Sequence, residues 1–76
     1  MERGAKLRQL RRAKDLTQEY IAFEVGISQK QVSRIENGKV DPRSKLLDAM
    51  CAALGITLAE LDTLRQDPED DPGNRP

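Results

Sequence analysis

The 76-residue chain has no histidine, no tryptophan and one cysteine, and each shortage excludes a kind of site. One cysteine cannot form an internal disulfide, which fits a reducing cytoplasm. Without histidine, a single chain lacks the usual nitrogen and sulfur ligands of a metal site. Histidine-based catalysis is excluded for the same reason, and no other residues combine a nucleophile, a base and an oxyanion site. We therefore expect no enzyme, no metal and no cofactor.

Aromatic residues and long apolar runs are also scarce. Aromatic residues make up 3% of the chain, so a core has to be built from aliphatic side chains. No run of about 18 apolar residues is present, which predicts no membrane span. The N-terminus has basic residues but lacks the apolar segment of a secretory signal. The length allows one small domain, which we expect in the cytoplasm.

The net charge is zero, yet the charges are unevenly distributed. Residues 1–45 contain 11 Lys or Arg and 6 Asp or Glu, a net +5, whereas residues 46–76 contain 2 and 7, a net −5. Such asymmetry indicates a nucleic-acid-binding face in the first part of the chain. On charge alone, an ordinary solvated surface is the simpler interpretation. The two-helix pattern of residues 17–39 favours the nucleic-acid-binding face instead.

Residues 17–39 carry the pattern of two short helices joined by a tight turn. Thr17 suits the N-cap of the first helix, whose buried face is supplied by Ile21, Ala22 and Val25. Gly26 ends this helix, since glycine adopts a left-handed conformation without a Cβ penalty.

The second helix of the pair follows Ser28, which with Gln31 forms the pattern of a capping box. Val32 and Ile35 form its buried stripe, and residues 37–38 (Asn-Gly) end it. Its outward residues are polar or basic: Gln29, Lys30, Ser33, Arg34 and Asn37. Together the two helices make a helix-turn-helix.

Three further helices are predicted around this pair. The first spans residues 2–14, with a buried stripe of Leu7, Leu10 and Ala13 surrounded by basic side chains that are either solvated or reach phosphates. The fourth runs from residues 42–44 to about residue 54. Its buried positions are Leu47, Met50, Cys51 and Leu54, and we expect Cys51 to be a small buried hydrophobe rather than a redox sensor. A capping box of Thr57 and Glu60 opens the fifth helix, which reaches residue 64 or 65.

Two features have more than one interpretation. Tyr20 and Phe23, the only aromatic residues, are neighbours on the helix that follows Thr17. They either cover the edge of the core or form a contact patch for a partner. A third alternative is that the Tyr20 hydroxyl touches a phosphate. Residues 66–76 have no apolar residue besides proline, so we expect a disordered, acidic, proline-rich tail. Competition of this tail with DNA for the basic face is a hypothesis.

The order and spacing of these motifs resemble the Cro/C1-type helix-turn-helix domain of lambdoid phage repressors and Xre-like bacterial regulators. The resemblance covers about residues 3–65. The matching residues are Leu16-Thr17-Gln18-Glu19, Ala22, Gly26-Ile27-Ser28-Gln29, Ile35-Glu36-Asn37-Gly38-Lys39, Pro42, Leu47, Leu54-Gly55-Ile56, Leu58 and Leu61. It implies an all-α, compact five-helix, lambda-repressor-like DNA-binding domain over residues 1–65, with the helix-turn-helix at helices 2 and 3.

Base reading is expected of the outward residues at the front of the third helix. Gln29 can form a bidentate pair with adenine, while Lys30 and Arg34 can donate to guanine. Ser33 is small enough to approach a thymine methyl group. These four positions read bases in the resembled repressors, although Lys30 and Arg34 could also be ordinary solvated charges.

Other roles follow partly from the resemblance, which implies those of Gln18, Arg11 and Glu36, and partly from the position of the residues in the chain. Phosphate contacts are expected from Gln18, Asn37, Lys39 and Arg43, which fix register rather than sequence. An ion pair is expected between Arg11 and Glu36, joining helix 1 to helix 3. Ile56, Leu58, Leu61 and Leu64 exceed what so small a core needs, so they are candidates for a homodimer interface, or else they close the core.

The resulting prediction is a sequence-specific transcriptional regulator of a bacterium or phage, a dimeric repressor that binds double-stranded DNA at a two-fold operator and is associated with the nucleoid. The alternative is an antitoxin-like protein-interaction module that pairs with a small protein partner and also binds its own promoter.

Overall fold

The computed structural model describes residues 2–64, and the predicted all-α, five-helix fold is confirmed there. The helices are α1 (Glu2–Ala13), α2 (Gln18–Val25), α3 (Gln29–Glu36), α4 (Ser44–Ala53) and α5 (Leu58–Thr63). The tail predicted over residues 66–76 lies outside the described residues. Helix α3 packs against α1 and α2, while α5 packs against α1 and α4.

The core is aliphatic, as the scarcity of aromatic residues requires. Its buried members come from every helix: Leu7, Ile21, Ala22, Val32, Ile35, Leu47, Met50, Cys51, Leu54 and Leu61. Cys51 is buried, as expected, and burial raises the pKa of its thiol above the ordinary value. A buried neutral thiol of this kind is a packing residue rather than a reactive one.

Capping residues determine where the two helices of the helix-turn-helix begin and where the first one ends. Thr17 caps α2, because its Oγ1 accepts a hydrogen bond from the backbone N–H of Tyr20 at 3.0 Å. Gly26 ends α2 in the left-handed region with φ 84°, which a side-chain-bearing residue adopts only at a cost. Ser28 then caps α3 by accepting from the backbone N–H of Gln31 at 3.1 Å. The α2 and α3 elements therefore meet at a tight turn.

The predicted capping box at α3 is only half formed. Ser28 accepts from the Gln31 backbone, but the reciprocal bond from the Gln31 side chain is not made between these two described residues. By contrast, both bonds of the Thr57–Glu60 capping box are present at α5. The Gln31 side chain is exposed instead.

The interpretation of the last turn of α1 was wrong. Ala13 is exposed, and Arg11 takes the inward position in this turn. Asp15 adopts a left-handed conformation (φ 56°) beyond the helix, so the chain turns there and brings Leu16 against the core. Nor is the basic surface of α1 fully solvated, since Lys6 and Arg8 are buried.

Helix α1 approaches α3 closely at Gly4. A Cβ atom at this position would overlap the carbonyl oxygen of Ile35 in the last turn of α3. Because the obstacle is backbone, a side-chain rotation cannot relieve it. The absence of a side chain at Gly4 therefore sets how near α1 lies to the end of α3.

Candidate nucleic-acid interface

Helix α3 has one face for the core and another for solvent. Val32 and Ile35 are fully buried, and they fix the rotation of this two-turn helix about its axis. That rotation leaves Gln29, Lys30 and Arg34 exposed and Ser33 half-buried. The four residues predicted to read bases therefore share the outward surface of α3.

The residues after α3 continue this polar surface. Asn37, Lys39 and Arg43 are exposed between the end of α3 and the start of α4. Asn37 Nδ2 donates to Ser33 Oγ at 3.4 Å, which links the end of α3 to one of its outward residues. Three of the four residues predicted to bind phosphate are thus exposed in the segment that follows α3.

Behind α3, a buried ion pair connects α1 to α3. Arg11 donates to Glu36 through Nε at 2.8 Å and Nη2 at 3.0 Å, and Glu36 is 1% exposed. Arg11 Nη1 also donates to the carbonyl oxygen of Leu16 at 2.7 Å. The structure therefore contains the ion pair that the resemblance implied, with the bidentate geometry that arginine and carboxylate favour.

Gln18 completes this cluster. Its Nε2 donates to Glu36 Oε1 at 3.1 Å, and the residue is half-buried at the start of α2. One N–H of the amide is therefore committed to Glu36, and a phosphate contact has to use the other N–H. We refer to Arg11, Gln18 and Glu36 below as the carboxylate bracket, since it joins α1, α2 and α3.

A groove of about 220 Å³ runs beside the exposed face of α3. It is lined by Ser28, Lys30, Gln31, Arg34 and Val40. Gln31 is the residue that sequence reasoning missed here, because the capping-box pattern gave its side chain another role. With that bond unmade, its amide lies beside two cations on the same outward surface.

The four leucine and isoleucine residues proposed for a dimer interface divide into two groups. Leu61 is fully buried within the monomer, so assigning it to an interface was wrong; it closes the core under α1 and α4. Ile56, Leu58 and Leu64 are half-buried and pack against the core from its edge. These three keep apolar surface accessible at the α5 end of the domain.

Helix α5 is held to α1 by an exposed ion pair. Arg3 donates to Asp62 through Nε at 3.0 Å and Nη2 at 2.9 Å, and Lys6 Nζ donates to the Asp62 carbonyl oxygen at 3.4 Å. The hydrogen bonds from Arg3, followed by its charge, hold the pKa of the Asp62 carboxyl below its ordinary value. Both side chains are 43% exposed, so this pair is a solvated counterpart of the one behind α3.

Tyr20 and Phe23 do not cover the core. Phe23 is 83% exposed and Tyr20 is 42% exposed, and neither packs in the core cluster. The core-edge interpretation of Phe23 was therefore wrong. The reason is rotational: Ile21 and Ala22 occupy the inner face of α2, so positions 20 and 23 point away from it.

Other kinds of site are not found in the part of the chain that the structure describes. Within residues 2–64, no group of three or more Cys, Asp or Glu side chains is arranged to hold a metal ion. No described helix has the length and apolar character needed to cross a membrane. The outward surface of α3 and its flanks is therefore the main candidate site.

Known proteins share this sequence pattern. The profile of a helix-turn-helix family matches residues 7–61, which is most of the chain and includes α2 and α3. Control protein C.MunI of Mycoplasma sp is 44% identical over 59 residues, or 76% of this chain and 80% of that protein. The HTH-type transcriptional regulator y4dJ of Sinorhizobium fredii is 38% identical over 60 residues, or 79% of this chain and 78% of that protein.

A third relative is larger than this chain. Antitoxin PezA of Streptococcus pneumoniae is 34% identical over 58 residues, which cover 76% of this chain but 37% of that protein. The match therefore concerns only part of PezA.

Proposed function

Because the chain belongs to the Cro/C1-type helix-turn-helix family of DNA-binding transcriptional regulators, we propose that it reads a specific DNA sequence by inserting α3 into the major groove. The observation that carries this proposal is the exposed polar face of α3 on a buried support. Gln29, Lys30 and Arg34 are exposed, while Val32 and Ile35 on the same helix are fully buried. A major groove about 12 Å wide admits one such helix.

In the proposed complex, base reading is divided among the outward residues of α3. Gln29 pairs with adenine, Lys30 and Arg34 donate to guanine, and Ser33 lies near a thymine methyl group. The carboxylate bracket supports this reading because it fixes the orientation of α3 relative to α1 and α2. Preorganised side chains lose less conformational freedom when they bind.

Phosphate contacts position the helix. Asn37, Lys39 and Arg43 reach the backbone beyond α3, and Gln18 does so with its free N–H at the start of α2. The positive ends of the α2 and α3 dipoles favour phosphate at the start of each helix, which is beside Gln18 in α2 and beside Gln29 in α3. These contacts supply affinity and register but little sequence information.

We further propose a homodimer that represses from a two-fold operator. The half-buried side chains Ile56, Leu58 and Leu64 supply apolar surface for the dimer contact at the α5 end. Two copies would then present two α3 helices to half-sites about 34 Å apart, one turn of DNA. Such a regulator acts in the cytoplasm, at the nucleoid, without catalysis or cofactor.

The direct test is selection of bound sequences from a random duplex pool at about 150 mM salt, which suppresses non-specific phosphate binding. A short two-fold motif supports sequence-specific dimeric readout, and its spacing reports the dimer geometry. A single half-site supports the reader but rejects the dimer. Absence of any enriched sequence rejects sequence-specific reading by α3.

Two variants separate base reading from phosphate binding on the selected site. Arg34→Ala is expected to cost about 1–3 kcal/mol and to relax preference at one base pair. Lys39→Ala is expected to weaken all sequences alike and to lower the salt slope by about one unit. If Arg34→Ala binds the selected site as tightly as the parent protein, the base-reading assignment of Arg34 is wrong.

A second candidate function is an antitoxin-like module that pairs with a small protein partner and also binds its own promoter. Two observations favour it: the similarity to part of PezA, whose name describes an antitoxin, and the exposed aromatic residues of α2. Co-expression with the product of the adjacent gene, followed by co-purification, tests this candidate. A stable complex that still binds the selected DNA supports it.

A further inference from the structure

The groove beside α3 has two walls, and only one of them belongs to the helix. Gln31 and Arg34 line it from α3, while Val40 lines it from the segment that follows α3. The backbone N–H groups of Lys39 and Val40 both donate to the carbonyl oxygen of Arg34, at 2.9 and 3.3 Å. These bonds hold the segment against α3, so the fold itself fixes the position of Val40 beside the helix.

Gln31 brings an uncommitted amide to this groove. Its side chain is exposed and forms no hydrogen bond within residues 2–64. An amide offers a donor and an acceptor together, which matches the N6 donor and N7 acceptor of adenine in the major groove. Gln29 and Gln31 are two positions apart, or about 200° around the helix axis, so they lie on opposite flanks of α3. Gln31 therefore faces a part of the DNA that Gln29 does not reach.

Val40 brings apolar surface to the same groove. It is half-buried and packs against the core from its edge, so part of its side chain remains accessible. Among the groups that base pairs present in the major groove, the apolar one is the C5-methyl group of thymine. A valine held beside the base edges therefore favours thymine.

We propose that Gln31 and Val40 together read one A·T base pair, with the Gln31 amide on the adenine edge and Val40 against the thymine methyl group. An A·T pair presents both groups in the major groove. This inference rests on the proposed insertion of α3 into that groove. It adds two readers to the outward residues of α3, and one of them lies outside the recognition helix.

Two other occupants fit the groove less well. A phosphate would pair with Lys30 and Arg34, which also line the groove, but it offers Val40 no apolar contact. A G·C pair lacks the methyl group and presents the cytosine amine instead. That amine would lose water against valine without gaining a hydrogen bond, which is costly. An A·T pair suits both Gln31 and Val40.

The first test repeats the selection from a random duplex pool with the parent protein, Gln31→Met and Gln29→Met. Methionine keeps the length of glutamine but removes the amide. Gln31→Met is expected to relax the preference at one A·T pair and to bind the selected site about tenfold more weakly. Gln29→Met is the matched control, because the same change on the opposite flank should relax a different base pair.

The second test replaces the thymine of that A·T pair by uracil, which lacks the methyl group. The parent protein should bind the uracil site about fourfold more weakly, the effect of uncovering one methyl-sized group. Val40→Ala should bind the thymine and uracil sites equally, whereas uracil at any other thymine should affect both proteins alike. The uracil result with the parent protein decides the role of Val40 even if Val40→Ala does not fold.

Four results overturn the proposal. If Gln31→Met selects the same motif with the same affinity as the parent, Gln31 reads no base, although the proposed function stands. If Gln31→Met weakens all sequences alike, Gln31 contacts a phosphate. If the parent does not distinguish uracil from thymine at the pair that Gln31→Met relaxes, Val40 does not cover the methyl group. If the parent itself selects no motif, the proposed function is rejected, and this inference is rejected with it.

Discussion

Replacing Glu36 by alanine is expected to destabilise the domain severely, although the residue lies at the end of a two-turn helix. The side chain is 1% exposed and accepts three hydrogen bonds, two from Arg11 and one from Gln18. Glu36→Ala leaves the buried Arg11 guanidinium without a counter-charge. It also leaves the Gln18 amide without its partner in the carboxylate bracket.

The expected loss is about 3–5 kcal/mol, the usual cost of removing one partner of a buried ion pair. Arg11 keeps one hydrogen bond, to the carbonyl oxygen of Leu16, which limits the loss. A chain of this length is expected to have a free energy of unfolding of about 4–11 kcal/mol in total. The substitution therefore removes a large share of the stability, and part of the population should be unfolded without denaturant.

Two controls separate burial from ion pairing. In the double variant Arg11→Met with Glu36→Leu, no charge is left unpaired, so stability should recover toward the parent value or exceed it. Asp62→Ala breaks an ion pair of the same bidentate geometry, but one whose members are solvated. Its effect should be far smaller than that of Glu36→Ala, since water replaces the lost partner.

The assay is urea unfolding followed by circular dichroism of the helices, which yields the free energy of unfolding from the midpoint and slope. The reasoning is refuted if Glu36→Ala and Asp62→Ala shift the midpoint equally. It is also refuted if the double variant is as unstable as Glu36→Ala, because the loss would then come from packing rather than from an unpaired buried charge.

Two further predictions concern α1. In urea unfolding, Gly4→Ala should lower the free energy of unfolding by about 1–3 kcal/mol, because the added Cβ meets the Ile35 carbonyl oxygen. This loss is expected although alanine has the better helix propensity. A stabilised variant would contradict the close approach of α1 to α3. Arg3 lowers the pKa of Asp62, so the pair stabilises the fold above the unfolded-state pKa and loses this contribution as pH falls through the native pKa. The difference in urea midpoint between the parent and Asp62→Asn should therefore be present at pH 7 and shrink below about pH 4, and a difference independent of pH would contradict it.

Periodicity and capping chemistry predicted the elements of the fold well, because both act over a few neighbouring residues. Val32 and Ile35 alone indicate which side of α3 is buried, and Ser28 indicates where the helix begins. The interpretation of Ala13 failed since the end of α1 depends on a left-handed turn at Asp15, for which local sequence carries no strong signal. In the sequence, the helical spacing of apolar residues continues beyond the residue at which α1 ends.

Features that depend on tertiary packing were harder to predict. The Arg11–Glu36 pair joins residues 25 positions apart, and only the family resemblance suggested it. Burial of Leu61 and exposure of Phe23 depend on how α5 and α2 rotate against the rest of the core, which the number of apolar residues does not determine. The close approach at Gly4 likewise needs the position of the opposite backbone.

In helix α3, the residues that stabilise the fold are separate from the residues proposed to bind DNA. An isolated eight-residue helix is unstable in water, so α3 depends on tertiary contacts made by Val32, Ile35 and Glu36. Its exposed residues Lys30 and Arg34 contribute nothing to those contacts. Substitution of an outward residue should therefore change DNA sequence preference at little cost in stability, whereas substitution of an inward residue should unfold the helix before it alters preference. This separation explains how one fold can present different outward residues to different DNA sequences while the core and the carboxylate bracket stay in place.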